Sequence, residues 1–145
     1  MAKVVIDANV LISSVFGGLP LESINLALSH HVVFYSEDIE KELQGVLRRL
    51  EVKLKDNQIH KLQENLSRFL SFCQKVSVTE NVAICRDRKD NQYLSLCKQV
   101  KADFLITGDK DLLIIPRDIL LQNDLPCNIV SPAEFINQVS EADSL

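Results

Sequence analysis

Acidic residues fall at unusual places in this sequence. In "KVVIDANVLIS" a short apolar run stops on Asp7 and resumes at once, and in "ADFLITGDKDLL" a second run is followed closely by Asp109 and Asp111. Carboxylates brought together repel one another, and a hard divalent cation, Mg2+ or Mn2+, relieves that repulsion because it prefers oxygen ligands. With no Cys or His nucleophile in a recognisable pattern beside them, such acids suit metal-assisted hydrolysis, in which the cation activates water and neutralises charge on a phosphate. A plainer reading stands beside it. Asp7 could simply cap the helix that "DANVLIS" would start, and "TGDKDLL" could be no more than a tight turn, with Gly108 permitting close backbone approach.

Convergence depends on the elements that carry these acids. "KVVI", "VVFY" at 32–35, "KVSV" at 75–78, "ADFLIT" at 102–107 and "NIV" at 128–130 are short and β-branched or aromatic, and read as strands. Between them apolar residues recur at helical spacing. Leu21, Ile24, Ala27 and Leu28 mark one helix, and Ile39, Leu43, Val46, Leu47 and Leu50 a second. Ile59, Leu62, Leu66, Phe69 and Leu70 mark a third, and Tyr93, Leu96, Cys97 and Val100 a fourth. A fifth begins at "SPAEFINQV", where Ser131 and Glu134 form a capping box and Pro132 suits the first turn. Strands alternating with helices predict an α/β fold: a central parallel sheet with helices on both faces, three layers in one domain. Its working edge lies outside the carboxyl ends of the strands, where Asp7 and Asp109 fall.

The 145 residues, 46% of them apolar, fit a single domain over 1–139, with a short polar flexible tail at 140–145. Four cysteines, Cys73, Cys85, Cys97 and Cys127, show no metal-ligand spacing, and no secretory leader precedes the first strand; both point to packing roles in a reduced cytoplasm. No apolar run approaches the ~18 residues needed to span a bilayer. His30, His31 and His60 make no ligand pattern. A formal charge of -4 offers no general attraction to nucleic acid, so such binding needs local basic patches or bridging cations.

"VIDANVLIS", "RDRKDNQYLSLC" and "ADFLITGDKDLL", in that order and spacing, resemble the signatures of the PIN-domain family, over nearly the whole chain. The similarity is closest to compact bacterial members counted as toxins of toxin-antitoxin systems, which are metal-dependent ribonucleases. The resemblance implies strand order 3-2-1-4-5, an RNA substrate, Mg2+ or Mn2+ as cofactor, an antitoxin partner and a possible homodimer. It carries catalytic roles onto Asp7, Glu42, Asp90 and Asp109, and metal ligation onto Asp7, Asp90, Asp109 and Asp111. The family's helical acid stands directly before a Leu, which selects Glu42 of "EKELQGVL" with Glu40 in reserve. Asp87 fits less well, because Arg88 and Asn91 stand where the pattern often has Pro and a second acid.

Local readings compete with several of these roles. Asp90 precedes a helix it could cap. Asn9 and Thr107 could orient the carboxylates by hydrogen bonds, or serve only their own turns. Arg86, Arg88 and Lys89 adjoin Asp90 and are candidates for gripping phosphate. Arg48 and Arg49, with Lys53 and Lys55 beyond, are further candidates for that grip, though they close the second helix, where complementing the dipole is the favoured reading. No aromatic platform for stacking bases is evident. "DILLQNDLP" offers Ile119, Leu120, Leu121 and Leu125 to either the core or an interface. Two other functional classes remain: a catalytically silent binding module, and a phosphohydrolase on a doubly wound sheet, which would want an Asp where Asn9 stands.

Overall fold

Strand β1 (Lys3–Ile6) lies at the centre of the sheet, and its Val4 and Val5 are fully buried because helices cover both faces. The computed structural model describes residues 1–143. It contains five strands in the order β3-β2-β1-β4-β5, every neighbouring pair parallel, as the family resemblance implied. β2 (Val32–Tyr35) pairs with one edge of β1, Val4 opposite Val33, and β4 (Phe104–Ile106) pairs with the other, Val5 opposite Leu105. β5 (Asn128–Val130) flanks β4. The strand order reverses between β1 and β4, and that crevice is where the carboxyl ends of both strands open.

Eight α-helices connect these strands among the described residues. α1 (Ala8–Ser14) starts directly after β1, and α2 (Gly18–His30) follows a turn in which Gly17 and Gly18 adopt φ of 84° and 73°, a region that residues with a Cβ rarely enter. α3 (Glu37–Glu51) buries Ile39 and Leu43. Ser36 caps it, its Oγ accepting from the Ile39 N–H at 3.3 Å. α4 (Asp56–Ser71) and α5 (Asn91–Val100) also follow the expected periodicity; the latter is entered through a 3-10 turn at Arg88–Asp90. The short α6 (Lys110–Leu113) and α7 (Arg117–Gln122) precede β5, and α8 (Pro132–Asp143) completes the fold. The Ser131–Glu134 capping box is present, with reciprocal bonds of 3.2 and 3.3 Å.

Two expectations need correction. The strand expected at 75–78 is only β3 (Gln74–Lys75). Val76 still donates to the Tyr35 carbonyl at 2.8 Å, but the chain then leaves the edge. Its backbone is satisfied by α5 instead: Thr79 and Glu80 N–H groups donate to Gln99 Oε1, and Val82 N–H donates to Ser95 Oγ. The tail expected from residue 140 begins inside α8, which is capped at its start and meets no Gly or Pro before Asp143; residues 144–145 lie outside the described residues. No single helix among the described residues is long and apolar enough to cross a membrane. The four cysteines are unpaired, with Cys97 and Cys127 packed in the core.

Candidate active site

Asp7 leaves β1 with 2% of its surface exposed, and both of its oxygens are engaged. Oδ1 accepts from the Asn9 N–H at 3.0 Å, capping α1, and Oδ2 accepts from the Thr107 hydroxyl at 2.7 Å. Thr107, fully buried just past β4, also accepts from the Asp109 N–H at 3.0 Å. One hydroxyl therefore ties the two strand-end acids together across the crevice. Asp109 in turn caps α6, its Oδ1 accepting from the Asp111 N–H at 2.9 Å. The capping alternative is thus real for Asp7 and Asp109, and it fixes their carboxylates rather than removing them from the site.

Asp90 behaves differently. It occupies the position before α5 but its side chain makes no capping bond. Asp87 takes the equivalent duty one turn earlier, its Oδ1 accepting from the Lys89 N–H at 3.0 Å. Asp90 is buried, and its carboxyl is pushed up to about 7, by burial first, then by the charge of Asp109 and a hydrogen bond shared with it, and by the charges of Asp87 and Asp7. Asp7, Asp87, Asp90 and Asp109 thus share one electrostatic field. The same acids reach Cys85, whose thiol is held up to about 11 by burial and then by Asp90, Asp109 and Asp87.

Glu42 and Glu40 leave opposite edges of α3. Glu40 meets Lys75 at 3.0 Å, beside β3. Glu42 faces α5, where its Oε2 accepts from the Tyr93 hydroxyl at 2.5 Å and from Gln92 Nε2 at 2.7 Å. The Tyr93 oxygen also accepts from the Ala8 N–H at 3.1 Å, so Glu42 is linked to the residue beside Asp7. Burial, the Asp7 charge and the bond to Glu42 keep the Tyr93 phenol protonated far above its usual range. Sequence reading placed Tyr93 only in the apolar stripe of α5. A buried Tyr needs a partner for its hydroxyl, and that requirement was the available signal.

A groove of about 460 Å³ opens beside Glu42, lined by residues of α3 and by Arg88, Lys89 and Gln92. Arg86 is exposed and is not among its lining residues. Asn9 joins the network through its backbone; no hydrogen bond from its side-chain amide is present among the described residues. Asp111 is exposed, and its bond to Asp109 is likewise through the N–H. Among the described residues no three His, Cys, Asp or Glu side chains form a ready-made cation cage. Asp7, Asp90 and Asp109 nevertheless match a hard divalent ion in kind: they offer only carboxylate oxygens, and their mutual repulsion, visible at Asp90, is what a cation would relieve.

The chain is similar to known proteins in fold and in sequence. A structure described as VapBC2 from Rickettsia felis bound to a DNA fragment from their promoter superimposes with a TM-score of 0.61 at 15% identity, over 89% of this chain and 98% of that one, a likeness of fold. An uncharacterized protein, MJ1680, of Methanocaldococcus jannaschii is 33% identical over 146 residues, covering 94% of this chain and 90% of the relative. The PIN domain family model matches residues 3–111, a span that includes Asp7, Glu42, Asp90 and Asp109, and the chain belongs to the PIN-domain family.

Proposed function

We propose that the protein is a Mg2+- or Mn2+-dependent endoribonuclease that hydrolyses phosphodiester bonds of single-stranded RNA, and that it serves as the toxin of a toxin-antitoxin pair. The observation that carries the hydrolytic reading is the Thr107 hydroxyl joining Asp7 and Asp109 at the β1–β4 crevice, with the buried Asp90 carboxyl raised to about 7 beside them. PIN domains are generally nucleases, and the acids stand within the matched span.

Asp7, Asp90 and Asp109 would hold the cation, which supplies charge neutralisation and an activated water. Thr107 and the two helix starts keep the Asp7 and Asp109 carboxylates in fixed rotamers, so little reorganisation accompanies binding. Glu42 is oriented through Oε2 by Tyr93 and Gln92, leaving Oε1 to receive a hydrogen bond from a water near the scissile phosphate. Arg88 and Lys89 approach the strand from the groove wall, and Arg86 can meet it only outside that groove. Asp111, exposed on α6, would add a ligand from the solvent side of the site.

The toxin role rests on the family resemblance. The superimposed Rickettsia protein is half of a VapBC complex, which supports an antitoxin partner here. Ile119 and Leu121 are exposed on α7, while Leu120 and Leu125 belong to the core, so a homodimer through this segment would use the first pair. A short reading frame directly upstream of the gene is expected for an antitoxin.

The deciding experiment incubates purified protein with a mixed RNA pool, with Mn2+ and with EDTA, alongside Asp7→Asn. Cleavage that needs metal and fails in the variant is expected. Absence of both Mn2+ binding and cleavage would instead mark a silent binding module. Phosphate release from small phosphoesters without strand scission would mark a phosphohydrolase.

A further inference from the structure

The α3 face beside Glu42 carries more than the nuclease chemistry requires. Asp38, Lys41, Glu42, Gly45 and Arg49 line the groove, and their spacing sets them on one stripe of the helix, away from the buried Ile39 and Leu43. Across from them stand Arg88 and Lys89. Four cations thus face two acids in a protein whose net charge is -4. Lys41 lies 3.6 Å from Glu37, but among the described residues Arg49, Arg88 and Lys89 enter no ion pair.

Gly45 gives the second observation. A glycine inside a helix is less favourable than alanine, and a packing need usually explains it. Here packing does not: a Cβ built at Gly45 would meet only Nη1 of Arg49, at 3.9 Å, an ordinary contact with a flexible side chain. What the missing side chain leaves clear is the groove, with the Arg49 guanidinium beside the bare backbone. Glycine at such a place permits close approach by something from outside.

We infer that Gly45 and Arg49, with Arg88 and Lys89 opposite, form a track for a backbone phosphate of single-stranded RNA flanking the one that is cut. The inference rests on the ribonuclease reading and extends it to how the strand is held. Arg49 lies seven residues beyond Glu42, about 10 Å along the helix. That separation exceeds the span of one phosphate, so the group it meets is a neighbour of the scissile one. Such a track reads charge and backbone, not bases, so it adds affinity without sequence preference. Arg49 therefore does more than complement the C-terminal dipole of α3.

The test measures binding of a fluorescein-labelled single-stranded RNA of mixed sequence by anisotropy, across a salt series and in EDTA so that no strand is cut. Each phosphate contact on a single strand contributes about 0.7 to the slope of log affinity against log salt. Arg49→Gln should lower that slope by about 0.7 and weaken binding roughly fivefold at about 0.1 M salt. Gly45→Ala should weaken binding while raising the melting temperature, a pairing that a purely structural glycine would not give. Arg68→Gln, an exposed cation on α4 away from the groove, should leave both readings at wild-type values. If the wild-type protein binds and cuts RNA but either groove variant keeps wild-type affinity and slope, the track is overturned and the nuclease reading stands. If the wild-type protein neither binds nor cuts RNA in any of these conditions, both fall.

Discussion

Asp109→Asn separates the two duties of this residue. The substituted amide retains an oxygen for the Asp111 N–H, now at 2.9 Å from the carboxylate, and the Asp109 N–H bond to Thr107 belongs to the backbone. What changes is one charge and the acceptor in the bond shared with Asp90, where an amide oxygen replaces a carboxylate oxygen. In the wild-type protein the Asp90 carboxyl is raised from 3.8 to about 7, and the native state therefore binds more protons than the unfolded chain between those limits. The stability associated with that proton is present below about pH 4 and lost as pH rises through about 7. About three pH units at about 1.4 kcal/mol each put the loss at no more than about 4 kcal/mol. Burial, the leading cause, persists in the variant. Removing Asp109, the next cause, should return about 1 kcal/mol after screening by water at the mouth of the site. Without metal at pH 8, the variant should melt roughly 2–4 °C above wild type, with the gain shrinking toward pH 5. With Mn2+ the order reverses. At a metal concentration of about 100 Kd wild type gains about 2.7 kcal/mol, whereas a variant bound about 100-fold more weakly gains about 0.4. Differential scanning fluorimetry over pH, with Mn2+ and with EDTA, reads all of this, and ribonuclease activity should fall about 10 to 100-fold. An apo variant less stable than wild type at pH 8, or one that keeps the metal-induced rise and full activity, would refute the reasoning.

Thr107→Val removes the hydroxyl that serves both strand-end acids, and should cost about 2–3 kcal/mol in denaturant melts and sharply reduce activity, with Thr107→Ser restoring both. Tyr93→Phe leaves the Ala8 N–H without its partner and Glu42 with Gln92 as its one remaining donor; a loss of about 1–3 kcal/mol is expected, together with a fall in kcat, and an unchanged melt would show that water replaces the hydroxyl. Cys85 should report metal: burial, the main cause, keeps its thiol raised whatever is bound, but neutralising Asp90 and Asp109 removes part of the rise to about 11, so labelling by a thiol reagent should accelerate on adding Mg2+, with Cys85→Ser as the blank. No acceleration would place the cation elsewhere.

The sequence by itself determined the parts whose causes are local. Apolar runs that end on an acid produced β1 with Asp7 and β4 with Thr107 and Asp109 nearby, because strand length and turn residues are written in neighbouring positions. The periodic stripes of α3, α4 and α5 are equally local, and the alternation of strands and helices required a covered parallel sheet. The strand order came from family resemblance rather than from any residue count, and the sheet agrees with it.

Tertiary structure alone decided what lay between elements. Periodicity fixes which face of α3 is apolar but not which neighbour each edge meets, so Glu40 and Glu42 were equivalent until packing set one against Lys75 and the other against Tyr93, 51 positions away. The same holds for Asp90, free of capping duty because Asp87 performs it a turn earlier. "KVSV" had strand propensity throughout, yet pairing stopped at Lys75 because side chains of α5 offered the departing backbone other partners. Sequence left Arg49 between a dipole complement and a phosphate grip, and only the fold sets it in one groove with Arg88 and Lys89. Hydrogen bonds and electric fields act over a few ångströms of space, and the chain brings residues that close only when it is folded.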